Sequence, residues 1–105
     1  MSLFKIHFDS MPWEQSNTAG VRSKTLVRAG RKLRLVEFTN EFVEKDLCRK
    51  EHIGYVLEGE IEIDFNGKVE TYKPGEGVFI EGGEGSKHKA KCTGSRVKLI
   101  LVEKG

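Results

Sequence analysis

The stretch Cys48-Arg49-Lys50-Glu51-His52-Ile53-Gly54-Tyr55-Val56-Leu57-Glu58-Gly59 is the part of the sequence around which the fold can be built. Read as an extended strand that ends in glycine, it turns alternate side chains to opposite faces. Asp46, Cys48 and His52 would then point the same way, and Gly54 would leave open space beside the imidazole. The sequence therefore predicts a strand face that either ligates a metal or simply packs.

Composition narrows the class of protein. The chain has 105 residues, 37% hydrophobic and 32% charged, with a net charge of +2. One soluble domain is expected, and the charge balance favours neither nucleic acid nor an anionic membrane as partner. The longest aliphatic run, 99–102, is too short to span a bilayer. With no leader-like segment, we expect a cytoplasmic protein in which Cys48 and Cys92 are reduced thiols.

Short alternating runs separated by glycine-rich turns predict strands throughout the chain. Asn66-Gly67 supplies the positive φ angles of a two-residue hairpin turn. In 86–92 the residues Ser86, His88 and Cys92 share one face. About nine short strands in a small domain indicate an all-β sandwich or barrel, which can enclose a ligand cavity. Besides the strand ending at Gly59, the predicted strands are 4–8, 21–28, 32–39, 60–65, 68–72, 78–80, 86–92 and 97–102.

The glycine spacing and strand rhythm from 32 to 103 resemble the small single-domain cupins (the cupin 2, conserved barrel family). The family's first motif runs G-x5-H-x-H-x3or4-E-x6-G. Anchored on Gly59, it places the glutamate position at His52 and the two histidine positions at Asp46 and Cys48. The resemblance implies a β-jelly-roll barrel, or double-stranded β-helix, with one domain over residues 1–105 and its motifs at about 46–90.

The second cupin motif runs G-x5-P-x-G-x2-H-x3-N. Anchored on Gly75, it places the proline at Glu81, the second glycine at Gly83, the histidine at Ser86 and the asparagine at Ala90. None of the four usual metal ligands therefore has its usual residue type. Cupins bind Fe, Mn, Zn, Ni or Cu, and they include dioxygenases, isomerases, decarboxylases, storage proteins and sensors.

The replacement residues can still ligate a metal. Thiolate and imidazole suit Zn²⁺ or Fe²⁺ better than Mg²⁺ or Ca²⁺. We hypothesise that Cys48, His52 and His88 bind a divalent transition metal, Zn or Fe, inside the barrel. The alternative is that both histidines are hydrogen-bonded cavity residues without metal and that Cys48 packs as a small hydrophobe.

Four further residues are candidate ligand-binding positions: Asp46 and Gly54 on the face of His52, Tyr55 at the cavity mouth, and Ser86 as a hydrogen-bond donor. Core or surface roles remain open for each. Residues 22–34 carry several Arg and Lys side chains, which either form a basic rim for an anionic small molecule or, as we favour, belong to a mixed charged surface.

The sequence thus predicts a small-ligand-binding cupin with an altered divalent-metal site. The alternative function is a metal-dependent enzyme, of dioxygenase or isomerase type, acting on a small polar substrate. Apolar residues at 4–8 and 97–102 predict a homodimer.

Overall fold

The computed structural model describes residues 4–104, and its regular structure is almost entirely β-strand. Two short 3₁₀ turns lie at Phe8–Ser10 and Glu84–Ser86. The strands are β1 (Glu14–Gln15), β2 (Val21–Arg28), β3 (Arg31–Thr39), β4 (His52–Glu58), β5 (Ile61–Phe65), β6 (Lys68–Tyr72), β7 (Gly77–Ile80), β8 (Lys89–Cys92) and β9 (Arg96–Lys104).

These strands form two antiparallel sheets. The larger has six strands in the order β1-β2-β3-β9-β4-β7, and the smaller has three in the order β6-β5-β8. Sequence neighbours β4 and β5 lie in different sheets, and β9 returns to pair between β3 and β4. The predicted all-β, cupin-like jelly-roll barrel is confirmed.

The core lies between the two sheets, and the alternation of side chains along each strand determines which residues belong to it. Val97, Leu99 and Leu101 of β9 are buried, whereas the intervening side chains point to the outer face. Ile61 and Ile63 of β5 close the core from the smaller sheet. Because every second residue of a strand faces inward, one apolar set per strand is enough to fill the interior.

Several predicted elements are confirmed with small shifts of boundary. The hairpin of β5 and β6 turns at Asn66 and Gly67, whose φ angles are 55° and 111°. His88 and Cys92 do face the interior, as the alternation in 86–92 indicates.

The predicted strand at 4–8 is wrong. Phe4 is 93% exposed, and Phe8–Ser10 is a 3₁₀ turn. The carbonyl oxygen of Phe8 accepts a hydrogen bond from Nζ of Lys24 at 2.7 Å, rather than from a neighbouring strand. Alternation of apolar residues therefore occurs here without the backbone pairing that makes a strand.

The stretch 48–59 also differs from its prediction, because the regular strand begins only at His52. Cys48 forms an isolated antiparallel bridge with His88, next to the smaller sheet, whereas β4 pairs with β7 and β9 of the larger one. The chain crosses from one sheet to the other between Cys48 and His52, so it cannot remain one continuous strand.

Among the described residues, no helix is long and apolar enough to cross a membrane.

Candidate metal centre

Cys48, His52 and His88 meet inside the barrel. One potential ligand atom from each residue lies within 4.8 Å of the other two. Cys48 Sγ is 3.7 Å from His52 Nε2, and the two imidazole rings meet edge to face with centroids 5.2 Å apart. His88 is only 2% exposed, and the other two side chains are half-buried. Three residues from three separate segments therefore converge on one point.

Backbone pairing fixes two of these residues relative to each other. The amide of His88 donates to the carbonyl of Cys48 at 2.9 Å, and the amide of Cys48 donates back to the carbonyl of His88. His52 approaches from the opposite sheet as the first residue of β4. The cluster consequently spans the interior between the two sheets.

Both imidazoles are oriented through Nδ1. His52 Nδ1 lies 2.6 Å from Oε2 of Glu103, and His88 Nδ1 lies 3.0 Å from the carbonyl oxygen of Ser86. Each acceptor favours a proton on Nδ1, which leaves a lone pair on Nε2 of each ring to act as acceptor or ligand. Metal-ligating histidines are commonly held this way by a carboxylate or a backbone carbonyl.

Glu103 is held in turn by Arg34. Arg34 Nε lies 2.8 Å from Oε1 of Glu103, and Nη2 donates to Oε2 at 3.3 Å. Burial acts to raise the pKa of Glu103, but the hydrogen bond from His52 and the charge of Arg34 outweigh it, so the pKa lies below its ordinary value. The carboxylate is therefore ionised at neutral pH and available as the acceptor for His52.

The donor types of the three residues suit a thiophilic divalent metal, and their potential ligand atoms lie within 4.8 Å of one another. In a tetrahedral zinc site, a thiolate sulfur and an imidazole nitrogen are roughly 3.5 Å apart, as Zn–S and Zn–N bond lengths of about 2.3 and 2.0 Å imply. The 3.7 Å between Cys48 Sγ and His52 Nε2 is close to that separation. Three protein ligands in such a site leave one coordination position for water or a ligand.

The cluster faces a cavity of about 840 Å³. This volume lies within the range of about 300–1,000 Å³ that is usual for small-molecule sites. Most of its wall is apolar, with charged residues of β3, β9 and the 49–51 segment among the rest; the apolar lining includes Phe38, Phe42, Ile61, Ile63, Val78, Ile80, Leu99 and Leu101.

The four candidate ligand-binding residues do not line this cavity. Asp46 is exposed, because the irregular segment before β4 does not keep it on the face of His52. Tyr55 is 46% exposed and, being an odd number of residues from His52 in β4, lies on the outer face of the sheet.

Gly54 shares the face of His52, but the space beside it is filled. A Cβ at this position would lie 2.1 Å from the carbonyl oxygen of Ile100 and 2.7 Å from the side chain of Leu101. Gly54 therefore permits close approach of β4 to β9. The Ser86 hydroxyl donates a hydrogen bond to the carbonyl oxygen of Glu81. Ser86 contributes to the cluster only through its backbone carbonyl oxygen, which lies 3.0 Å from His88 Nδ1.

Arg34 and Glu103 are the site residues that the sequence interpretation missed. They lie 69 positions apart and meet because β3 pairs with β9. A signal was present: each charged residue is in step with buried apolar residues of its strand, Arg34 two positions before Val36 and Glu103 two positions after Leu101.

The comparisons with known proteins agree with this architecture. The sequence model described as "Cupin domain" matches residues 49–103, just over half of the chain. The chain belongs to the cupin family. Among curated proteins, none matches this cupin in sequence.

Solved structures of similar fold include three informative neighbours. An ethanolamine utilization protein Q (EutQ) from Salmonella typhimurium has a TM-score of 0.77 at 20% identity, covering 95% of this chain and 84% of its own. An RmlC-like cupin from Shewanella frigidimarina has a TM-score of 0.75 at 19% identity, covering 98% and 91%. The iron(II) form of HppE has a TM-score of 0.72 at 20% identity, covering 93% and 58%. At such identities the likeness extends to the fold alone.

Proposed function

We propose that this cupin binds a small ligand at a divalent transition metal, zinc or iron, held by Cys48, His52 and His88. The observation that carries the proposal is the convergence of one thiol and two imidazoles, each imidazole engaged through Nδ1, in the wall of one cavity. A bound metal would supply Lewis acidity and a vacant coordination position for the ligand.

The donor set favours zinc over iron. Thiolate ligands suit zinc, whereas non-haem iron oxygenases use two histidines and one carboxylate. Asp46 is exposed, and both oxygens of Glu103 are engaged by His52 and Arg34. Neither carboxylate is therefore placed as a third ligand without rearrangement.

An enzyme is the second candidate function for this cupin. Dioxygenase chemistry is disfavoured by the missing carboxylate ligand. An isomerase on a small polar substrate needs only polarisation of a carbonyl and a nearby group that accepts a proton. The position of Cys48, His52 and His88 beside a cavity of about 840 Å³ is the observation that favours this second candidate.

Cobalt titration tests the metal proposal directly. Co²⁺ added to purified, untagged protein should produce a thiolate-to-metal charge-transfer band with one ion per chain, and Zn²⁺ should displace it. The Cys48→Ser variant should lose the band. The matched Cys92→Ser variant, which changes the other free cysteine, should keep it. Failure of the wild-type protein to take up Co²⁺ or Zn²⁺ contradicts the proposal.

A reduced thiol is required for this site, so we expect the protein to act in a reducing compartment such as the cytoplasm.

We also propose a homodimer formed through the outer face of the larger sheet. Strand register places a continuous apolar row on that face: Leu26, Leu33, Val102, Ile53 and Phe79. Phe79 is 73% and Val102 37% exposed. Sedimentation should give a dimer that Val102→Lys dissociates, whereas Val69→Lys on the smaller sheet should not; a monomeric wild-type protein refutes this proposal.

A further inference from the structure

We infer that the ligand of the proposed metal site is an organic carboxylate with an aliphatic body. The inference rests on the proposed function and names the ligand class of the same cavity. Three observations support it: the charge of the cavity lining, the register that places Lys32 beside the metal ligands, and the apolar wall.

Cations outnumber carboxylates among the lining residues. Arg34 is engaged by Glu103, and the exposed Arg49 is engaged by Glu84 outside the lining. On the acidic side, Glu44 accepts the amide of Ala90, and Glu51 is half-buried. Three lysines remain, and in the described part of the chain none of them makes an ion pair: Lys32, Lys50 and Lys104.

Strand pairing brings Lys32 close to the metal ligands, and Lys50 and Lys104 line the same cavity. Lys32 of β3 lies opposite Glu103 of β9, and Glu103 in turn contacts His52 at the start of β4. Lys104 lines the cavity as the last residue of β9, on the opposite face of the strand from Glu103, and Lys50 lines it from the segment before His52. Lys50 and Lys104 are exposed, so they mark where the cavity meets solvent, whereas Lys32 is half-buried in the wall.

A second observation at the same place concerns Arg34. Its Nε is buried and lies 2.8 Å from Glu103 Oε1, yet off the line that a hydrogen bond requires. A divalent metal bound to one thiolate adds a further positive charge nearby. Among the described lining residues, three lysines and two carboxylates, those of Glu44 and Glu51, make no ion pair, so the potential of the cavity favours an anion near the lysines.

The apolar part of the cavity wall indicates which kind of anion would bind. Aliphatic and aromatic side chains of both sheets line the rest of the cavity, including Val78, Leu99 and Leu101. Burial of methylene groups there favours binding, because it removes apolar surface from water. An alkyl carboxylate suits both parts of the cavity, because its carboxylate group would lie near the lysines and its alkyl chain would pack against the apolar wall.

Calorimetric titration of cobalt-loaded protein tests this inference with hexanoate, the neutral isostere hexanamide, and hexyl phosphate. We expect hexanoate to bind at least about tenfold more tightly than hexanamide, and added salt to weaken its binding. Lys32→Met should weaken hexanoate binding about three- to tenfold. Lys104→Met should act in the same direction, and it remains informative if Lys32→Met fails to fold.

The matched control is Lys89→Met, which removes one positive charge from an exposed position of β8 outside the cavity lining. It should leave hexanoate binding unchanged. Equal affinity for hexanoate and hexanamide overturns the inference, as does binding of hexyl phosphate alone or of neither anion. If these failures occur in protein that retains the cobalt band, the metal proposal stands; loss of the band itself refutes that proposal instead.

Discussion

Replacement of Glu103 by glutamine tests how the candidate metal centre is organised. One carboxylate oxygen lies 2.6 Å from Nδ1 of His52, and the other lies 2.8 Å from Nε of Arg34. Glutamine keeps the size and removes the charge, and its amide NH₂ cannot accept a hydrogen bond. One of the two contacts must therefore be lost, and His52 is no longer held in a single orientation and tautomer.

The expected loss of metal affinity follows from this contact. Removing the group that orients a metal-ligating histidine typically weakens metal binding about 10- to 100-fold, which is roughly 1.4–2.7 kcal/mol. The metal-free protein should also lose about 1–3 kcal/mol of unfolding free energy, because Arg34 is left partly buried without its partner. The side chains of Arg34 and Glu103 are only 25% and 11% exposed, so solvent screens this pair incompletely.

Competition against a chelator measures the first quantity, and urea unfolding of the metal-free protein measures the second. Glu103→Asp keeps the charge on a shorter side chain and should give an intermediate affinity. Glu58→Gln, which alters an exposed carboxylate paired with Lys98 of the neighbouring strand β9, should change neither quantity appreciably. A metal affinity within about twofold of wild type in Glu103→Gln would show that this carboxylate does not position His52, since the expected change is at least about tenfold.

Acidification adds an independent check on the same residue. The pKa of Glu103 is held below its ordinary value of 4.5 in the folded protein. Its stabilising contribution is therefore fully present above that ordinary value and is lost as the pH falls through the folded pKa. The stability difference between wild type and Glu103→Gln, both metal-free, should shrink over that acidic range; a difference that grows on acidification contradicts the assigned contacts.

Two further predictions concern the barrel itself. Gly54→Ala should cost at least about 3 kcal/mol of unfolding free energy or prevent folding, because its Cβ would lie 2.1 Å from a carbonyl oxygen of β9. The control is Gly77→Ala, whose Cβ would meet nothing closer than 3.6 Å and which should lower the unfolding free energy only slightly. Urea unfolding measures both effects. Burial, followed by the hydrogen bond to Glu70, raises the pKa of Tyr72 to about 12. The neutral phenol thus contributes stability that is lost as the pH rises from 10.0 to about 12, and the tyrosinate absorbance of Tyr55→Phe protein should titrate near that upper value. Glu70→Gln should lower this midpoint, and a midpoint near 10.0 in Tyr55→Phe protein would contradict the assignment.

Local chemistry accounts for the parts of the fold that the sequence predicts well. Asn66-Gly67 specifies its hairpin because both residues readily adopt positive φ, and no distant contact is needed. The inward direction of His88 follows from alternation within one strand. In both cases the relevant information lies within a few consecutive residues.

The site residues depend on information of longer range. Alternation predicts that Asp46 shares a face with Cys48 and His52, but the chain crosses between the sheets between Cys48 and His52, so alternation does not extend across the segment. Cys48 nevertheless reaches the cluster, through its bridge to His88 rather than through the predicted strand. The contacts of Glu103 with Arg34 and His52 join residues 69 and 51 positions apart, and only the β3–β9–β4 pairing brings them together.

The placement of the three ligands on two sheets has a mechanical consequence. Cys48 and His88 are coupled by their backbone bridge beside the smaller sheet, whereas His52 belongs to the larger one. An ion bound by all three would act as a cross-link between the halves of the barrel, much as a disulfide does. Strain that separates the sheets would be transmitted to the coordination bonds, and the occupied protein would open as a single unit rather than sheet by sheet.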